Sequence, residues 1–302
     1  MSNLALVKKD TVDIVAQKVR EFQERGELHF PANYSPENAM KSAWLILQNT
    51  LDKDKKPVLT TCTMDSIANS LLDMVVQGLN PMKKQCYFIA YGKTLTCQRS
   101  YFGTMAVCKQ VTGAKDIYAQ VVYKGDEFEY EIKGARKQII KHVQKIENVD
   151  YDNIVAAYCV IEFDDERSAF VDIMTIAQIK KSWAKSKMNP DAKGSTHEEY
   201  KEEMAKKTVI NRACKSYINS SDDNSLVMKH FHRTEDVRSE EEVAQEIEDN
   251  ANSESIDIEY EEDEETETEE TIPENDMKEN SKDKENDIFN RPLQKTGTGP
   301  GF

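Results

Sequence analysis

Residues 78–109 read GLNPMKKQCYFIAYGKTLTCQRSYFGTMAVCK, and their pattern decides the fold class. Gln85 to Tyr91 alternates and is rich in aromatic residues, which predicts a strand. Gly92-Lys93 supplies a two-residue turn and Thr94 to Gln98 returns, completing a β-hairpin. Alternation puts Cys86, Phe88 and Ala90 on one face, and Gln85, Tyr87, Ile89 and Tyr91 on the other. A helix follows from Ser100 to about Val111, closed by Gly113. Strand, turn, strand and helix in succession make the class α+β. The same stretch interleaves Lys83, Lys84, Lys93, Arg99 and Lys109 with Tyr87, Phe88, Tyr91, Tyr101 and Phe102. Cations neutralise phosphates and release condensed counterions, while aromatic faces stack on unpaired bases. Gln85 and Gln98 can donate to phosphate or sugar oxygens. A half-buried hairpin with its aromatics in the core has the same periodicity, so both readings stand at this point.

Upstream, three helices are predicted. Thr11 to Glu24 aligns Val12, Val15, Val19 and Phe22 at spacings of three and four. Ser35-Pro36-Glu37 is a start signal: a hydroxyl N-cap, proline at the first position, then an acid at the positive dipole end. That helix buries Met40, Ala43, Trp44 and Leu47 and ends near Leu51. Thr63 caps a third, whose Ile67, Leu71, Met74 and Val75 face inward, with Gly78 ending it. Downstream, strands are predicted at Ile117–Tyr123, Glu127–Ile132, Ile154–Phe163 and Ala169–Met174, with Asp164 to Glu166 as a turn. Two helices follow, from Thr175 to about Lys185 and from about Thr196 to Ile218. Residues 187–194 between them read as a mobile loop.

The charge is unevenly placed. Residues 1–233 carry 34 Lys+Arg against 30 Asp+Glu, a net of +4, whereas 234–302 carry 6 against 25, a net of −19. The acidic whole-chain balance therefore describes a tail and hides a mildly basic body. Residues 259–270 (EYEEDEETETEE) lack the apolar surface to offset chain entropy, so 234–302 reads as a disordered acidic tail. The organisation expected is one domain over 1–233, mainly helical across 10–78 and α+β across 79–233, followed by that tail. The six cysteines never form a Cys-x-x-Cys pair, which gives no zinc spacing and suits buried free thiols. No run of about 18 apolar residues appears, so no membrane span is expected.

Catalytic constellations are missing from the pattern. Gly92-Lys93-Thr94 has the ending of a phosphate-binding loop, but Tyr87 occupies the position of its first glycine. Neither Gly-x-Ser-x-Gly nor His-Glu-x-x-His occurs. His230 and His232 sit close together without a second ligand pair, and Asp164, Asp165 and Glu166 read as a solvated turn before they read as a nuclease metal site. No enzyme activity and no metal site are expected. A second basic cluster lies in MAKKTVINRACKSY (204–217), where Lys206, Lys207, Arg212 and Lys215 recur with Asn211. Met204, Thr208, Cys214 and Ile218 suit its packed side, and Lys180, Lys181, Lys185 and Lys187 fall nearby in the chain.

These stretches together resemble the RecT family of single-strand annealing proteins. The resemblance rests on residues 78–107, on AAYCVIEF with FVDIMTIAQIKKSWAKSK (156–187), and on EEMAKKTVINRACK (202–215), and it spans roughly 10–230. Ala90 stands where many members have proline, and Asn211 where a basic residue is common. The resemblance implies a phage or prophage protein acting in the bacterial cytoplasm, which binds single-stranded DNA and anneals complementary strands without ATP or another required cofactor. Whether magnesium matters is left open. It further implies rings or helical filaments, a partner 5′→3′ exonuclease, and a small antiparallel sheet with crossing helices lining a positive groove. Carried onto this chain, the groove residues are Lys83, Lys84, Gln98, Arg99, Tyr101 and Lys109, with Lys185, Lys206, Lys207, Arg212 and Lys215 behind them. The N-terminal helices are expected at the protomer interface. The tail either shields and solubilises, competes with DNA, or recruits partners in the manner of a host single-strand binding protein's acidic end. A passive single-strand binding module and a metal-dependent nuclease are the alternatives.

Overall fold

A computed structural model describes residues 2–184, 195–220 and 225–234 of the 302-residue chain. By contacts the chain divides into two units, Met1–Ile256 and Asp257–Phe302, and all the described residues fall in the first. The N-terminal part is helical: α1 (Ser2–Glu24), α2 (Pro36–Asn49), the short α3 (Val58–Thr61) and α4 (Met64–Val76). The caps act as their residue types dictate. The Ser35 hydroxyl accepts from the Asn38 N–H at 3.3 Å and the Thr63 hydroxyl from the Ser66 N–H at 3.3 Å. Apolar stripes then face one core, with Trp44, Leu47, Ile67, Leu71 and Met74 almost wholly buried. Among the described residues, no helix is long and apolar enough to cross a membrane.

A single 3₁₀ turn, Pro81–Lys83, leads into the hairpin of β1 (Cys86–Tyr91) and β2 (Thr94–Arg99), with Tyr91 opposite Thr94. Cys86, Phe88 and Ala90 are buried as expected, and that face lies on α4. Two reciprocal bonds fix the contact: the Ser70 hydroxyl donates to the Leu95 carbonyl at 2.8 Å, and the Leu95 N–H to the Ser66 hydroxyl at 3.1 Å. The opposite face is only partly open, since Ile89 and Gln98 are buried there while Tyr87 and Tyr91 are half-buried. Ser100 caps α5 (Tyr101–Thr112), and Gly113 closes it in the left-handed region with φ +68°.

The remaining strands are β3 (Ala114–Tyr123), β4 (Glu127–Lys133), β5 (Arg136–Val143), β6 (Ile154–Phe163) and β7 (Phe170–Thr175). All the described pairings are antiparallel. They divide between the β1-β2 hairpin, a three-stranded sheet β3-β6-β7, and a β4-β5 hairpin, where one small sheet was expected. The helices α6 (Ile176–Trp183), α7 (Thr196–Glu199), α8 (Lys201–Asn219) and α9 (Ser225–Arg233) complete the body. α8 packs on α5, β3 and β6, and the Trp183 indole N–H ties α6 to the Thr208 hydroxyl at 2.8 Å.

Several sequence expectations need correction. The helix expected from Thr196 to Ile218 breaks at Tyr200 into α7 and α8. β5 and α9 were not foreseen, because their stability comes from distant partners. β5 (RKQIIKHV) is mostly polar, and it forms because β4 pairs with it across the Gly134-Ala135 turn. Both turn residues take positive φ, 57° and 64°, the conformation of a tight hairpin turn. At its base Asp126 accepts from the Tyr123 N–H at 2.9 Å, Asn148 at 3.0 Å, Gln144 at 3.1 Å and His142 at 3.3 Å. Burial pushes the Asp126 carboxyl up, but these four donors outweigh it and hold its pKa at about 2. α9 is clasped to α4, with His230 Nδ1 2.5 Å from Asp73 Oδ1 and Arg233 Nε donating to Asp73 Oδ2 at 2.9 Å. The expected loop over 187–194 and the expected acidic tail beyond Thr234 lie outside the described residues.

One close approach fixes the corner between hairpin and helix. A Cβ on Gly103, in the first turn of α5, would lie 2.1 Å from the Gln85 carbonyl oxygen and 2.7 Å from the Arg99 Cγ. Backbone cannot rotate away as a side chain can. Gly103→Ala is expected to cost about 1–3 kcal/mol, the range for overpacking, measured by urea unfolding. An unchanged midpoint would mean that the corner has slack.

Candidate nucleic-acid interface

The corner that Gly103 permits is also where five of the eleven sequence-predicted residues lie: Lys83, Lys84, Gln98, Arg99 and Tyr101. The Ser100 N–H donates to the Gln85 carbonyl at 3.1 Å and its hydroxyl to the Lys84 carbonyl at 2.6 Å, so the entry to β1 and the start of α5 are held together. Lys84 sits in the left-handed region at φ +54°. Lys83 and Lys84 are both exposed, and neither makes an ion pair among the described residues. Beside them, Tyr101 is half-buried and its ring lies 4.0 Å from that of Phe102, which is exposed. Burial, then the nearby Glu203 carboxylate, pushes the Tyr101 phenol up, so it stays a neutral donor. The arrangement offers two exposed cations on a turn bonded to the start of α5, whose first two residues pair their rings, and cations with aromatic faces are what a backbone phosphate with an unstacked base requires.

Gln98 is placed differently from the expectation of an exposed donor. It is 7% exposed, its amide nitrogen reaches the Tyr91 hydroxyl at 3.4 Å, and its Oε1 is buried without a partner.

Arg99 faces inward. Its guanidinium carbon lies 3.6 Å from the Phe231 ring centroid. Nη1 donates to Gln77 Oε1 at 2.9 Å, the Phe231 carbonyl at 2.7 Å and Thr234 Oγ1 at 2.7 Å, while Nε donates to Thr104 Oγ1 at 3.2 Å. The cation joins β2 to α4, α5 and α9, and these protein groups engage its Nε and Nη1 donors.

The second cluster reaches this corner through α5. α5 and α8 run side by side in the same direction, with Tyr101 beside Glu203 and Cys108 beside Cys214. The named cations there are largely matched by acids. Lys109 pairs with Asp116 at 2.8 Å, and Lys206 with Glu202 at 2.6 Å. Arg212 grips Asp172 through two bonds of 2.6 and 2.5 Å, and Lys137 approaches the same carboxylate at 3.4 Å. Lys207 and Lys215 stand half-buried on α8, and Lys185 lies outside the described residues. The two groups are thus brought together, but the surface they make is of mixed charge rather than uniformly positive. Asp164 and Asp165 are likewise matched, to Lys115 and Arg167 at 2.7 and 2.6 Å. Among the described residues no group of three or more His, Cys, Asp or Glu is arranged to hold a metal ion.

Sequence reading missed Asp73, Gln77 and the α9 residues that complete the Arg99 and His230 contacts. The signal was present: Asp73 and Gln77 lie one turn apart on a helix otherwise packed with apolar side chains, and Val227, His230 and Phe231 repeat at helical spacing.

Residues 37–277 match the family model described as the RecT family, from the start of α2 to well past Thr234. No curated protein matches the chain.

Arg99→Ala is expected to lower the unfolding free energy by on the order of 2–3 kcal/mol, the value of hydrogen bonds to a charged group. The salt dependence of DNA binding should keep its slope. A flattened slope with unchanged stability would return Arg99 to the phosphate contacts.

Proposed function

The chain belongs to the RecT family, a family of phage single-strand annealing proteins, and from that premise we propose that it binds single-stranded DNA and pairs it with a complementary strand without nucleotide hydrolysis. The single observation that carries the assignment of the site is the pair Lys83 and Lys84, exposed and without acidic partners among the described residues, next to the Tyr101–Phe102 rings. Phosphates engage the lysines, bases rest on the rings, and the Watson–Crick edges stay free to be tested by a second strand. Stacking and pairing in the product supply the free energy, so ATP is not required for the step. Lys109, Lys206 and Arg212 act as positioning residues through their carboxylate partners, and Lys207 and Lys215 extend the surface.

Annealing along a long strand calls for neighbouring protomers in a ring or filament, which raise the effective concentration of the next pairing step. Apolar exposure supports the β4-β5 hairpin and the segment after it as the protomer contact. Tyr130, Ile132, Ile140, Val143, Ile146 and Val149 are all exposed, whereas α1 and α2 offer Ile14 and Leu45. This moves the expected interface away from the N-terminal helices. In its host the protein works in the bacterial cytoplasm, after a phage 5′→3′ exonuclease has exposed the strand, and beside host single-strand binding protein.

The first test mixes two complementary fluorescent oligonucleotides without ATP. Faster pairing of intact strands is expected; tight binding that slows pairing would indicate a passive module, and shortened strands a nuclease. Lys83→Ala and Lys84→Ala should each weaken binding on all sequences and reduce the log–log salt slope by about 0.7, the single-strand value per phosphate contact. Unchanged slopes would move the DNA elsewhere. Ile132→Asp with Ile140→Asp should shorten the assemblies seen by sedimentation on DNA. Assemblies of unchanged size would restore α1 and α2 as the contact.

A further inference from the structure

The β4-β5 hairpin closes on a pair of like charges. Lys133 stands opposite Arg136 across the Gly134-Ala135 turn, and both are exposed. Neither makes an ion pair among the described residues. The acid next along that face, Glu131, stands opposite Gln138. Like charges directly opposite one another destabilise a strand pair, so this tip gains from a bound anion. The hairpin's other two lysines are engaged within the body: Lys141 with Glu127 at 2.7 Å, and Lys137 with Asp172 at 3.4 Å.

Lys137 also fixes where the tip lies. Its partner Asp172 is the carboxylate that Arg212 of α8 grips. Nearer its start, α8 meets the lysine-bearing corner, where Glu203 lies beside Tyr101. From Glu203 to Arg212 the helix rises about 14 Å, nine residues at about 1.5 Å each. Lys206, Arg212 and Lys137, which stand along this line, each sit beside a carboxylate. The corner and the tip are thus two positive points with matched charges between them. Their separation along α8 is of the order of a major groove, about 12 Å across from one backbone to the other.

We propose that Lys133 and Arg136 form a second phosphate-binding site, which takes the backbone of the incoming complementary strand while the Lys83–Lys84 corner holds the first. The inference rests on the reading of that corner as the DNA site. Two backbones repel each other as they close to pairing distance, and cations at both points offset that repulsion. The form of the element suits the task, because a major groove admits a two-stranded ribbon and this one carries its cations at the end. The protomer contact is left free. Alternation places Lys133 and Arg136 on the face opposite Tyr130 and Ile132.

The test compares the full chain with its Lys133→Ala/Arg136→Ala variant in two steps, a fluorescent oligothymidylate first and its oligodeoxyadenylate complement second. Binding of the first strand should keep its affinity and salt slope. The log–log salt slope of the pairing rate should fall by about 1.4, twice the single-strand value of about 0.7 per phosphate contact. Equal pairing slopes overturn the inference and leave the corner standing. A first-strand slope that falls as well also overturns it, since the tip then belongs to the first strand's track. A second readout uses the unaltered chain: lysine acetylation by acetic anhydride, followed by mass spectrometry. Lys83 and Lys84 should be protected when the first strand is added, and Lys133 only when the second follows. Lys133 protected by the first strand alone, or by neither, overturns the inference. If oligothymidylate does not bind the unaltered chain, the DNA reading of the corner fails and the inference falls with it.

Discussion

Arg99 is the interaction on which the arrangement of the body depends. A guanidinium has five donors in a fixed plane; here Nε donates to Thr104 of α5 and Nη1 reaches Gln77 at the end of α4, Phe231 of α9 and Thr234, while the Phe231 ring covers the face. Taking such a cation out of water is costly unless its donors are satisfied in good geometry. The elements that satisfy them are therefore bound to one another: α9 cannot leave without stranding the charge. Asp73, with His230 and Arg233, repeats the logic with the opposite sign on the same helix pair. The nine-residue α9 is held by polar contacts that a purely apolar face of its size would not provide.

That dependence also sorts the basic residues by role. Cations count alike in a sequence, but a cation beside a carboxylate has a weaker long-range field than one in water. Arg212 with Asp172, Lys206 with Glu202 and Lys109 with Asp116 hold α8 and α5 to the three-stranded sheet and to their own turns. Lys83 and Lys84 stand apart because the backbone at the head of β1 turns them outward. The unpaired basic surface at this corner is small among the described residues, and its neighbours are built from the same residue types for structural ends.

What the sequence made legible was local. The caps at Ser35, Thr63, Ser100 and Thr175, the turn at Gly92-Lys93 and the buried face of Cys86, Phe88 and Ala90 each depend on a few adjacent residues. What it hid was non-local. β5 depends on β4 and on the Asp126 network, α9 on Asp73, and the inward turn of Arg99 on residues more than 130 positions away. The site shows the same division. Lys83 and Lys84 stay exposed and Tyr101 half-buried at the corner, as their local sequence suggests, whereas the burial of Gln98 and the pairing of Arg212 follow from tertiary contacts that no spacing encodes.

Gly103 has a consequence for how the corner responds to a ligand. With no side chain between α5 and the Gln85 carbonyl, and with Ser100 bonded to both Gln85 and Lys84, helix and lysine-bearing turn share one rigid frame. Most of the conformational freedom of that backbone is lost when the chain folds, so little remains to be lost when a ligand arrives. The corner is preorganised. It meets a ligand as a fixed template, and adaptation falls to the ligand.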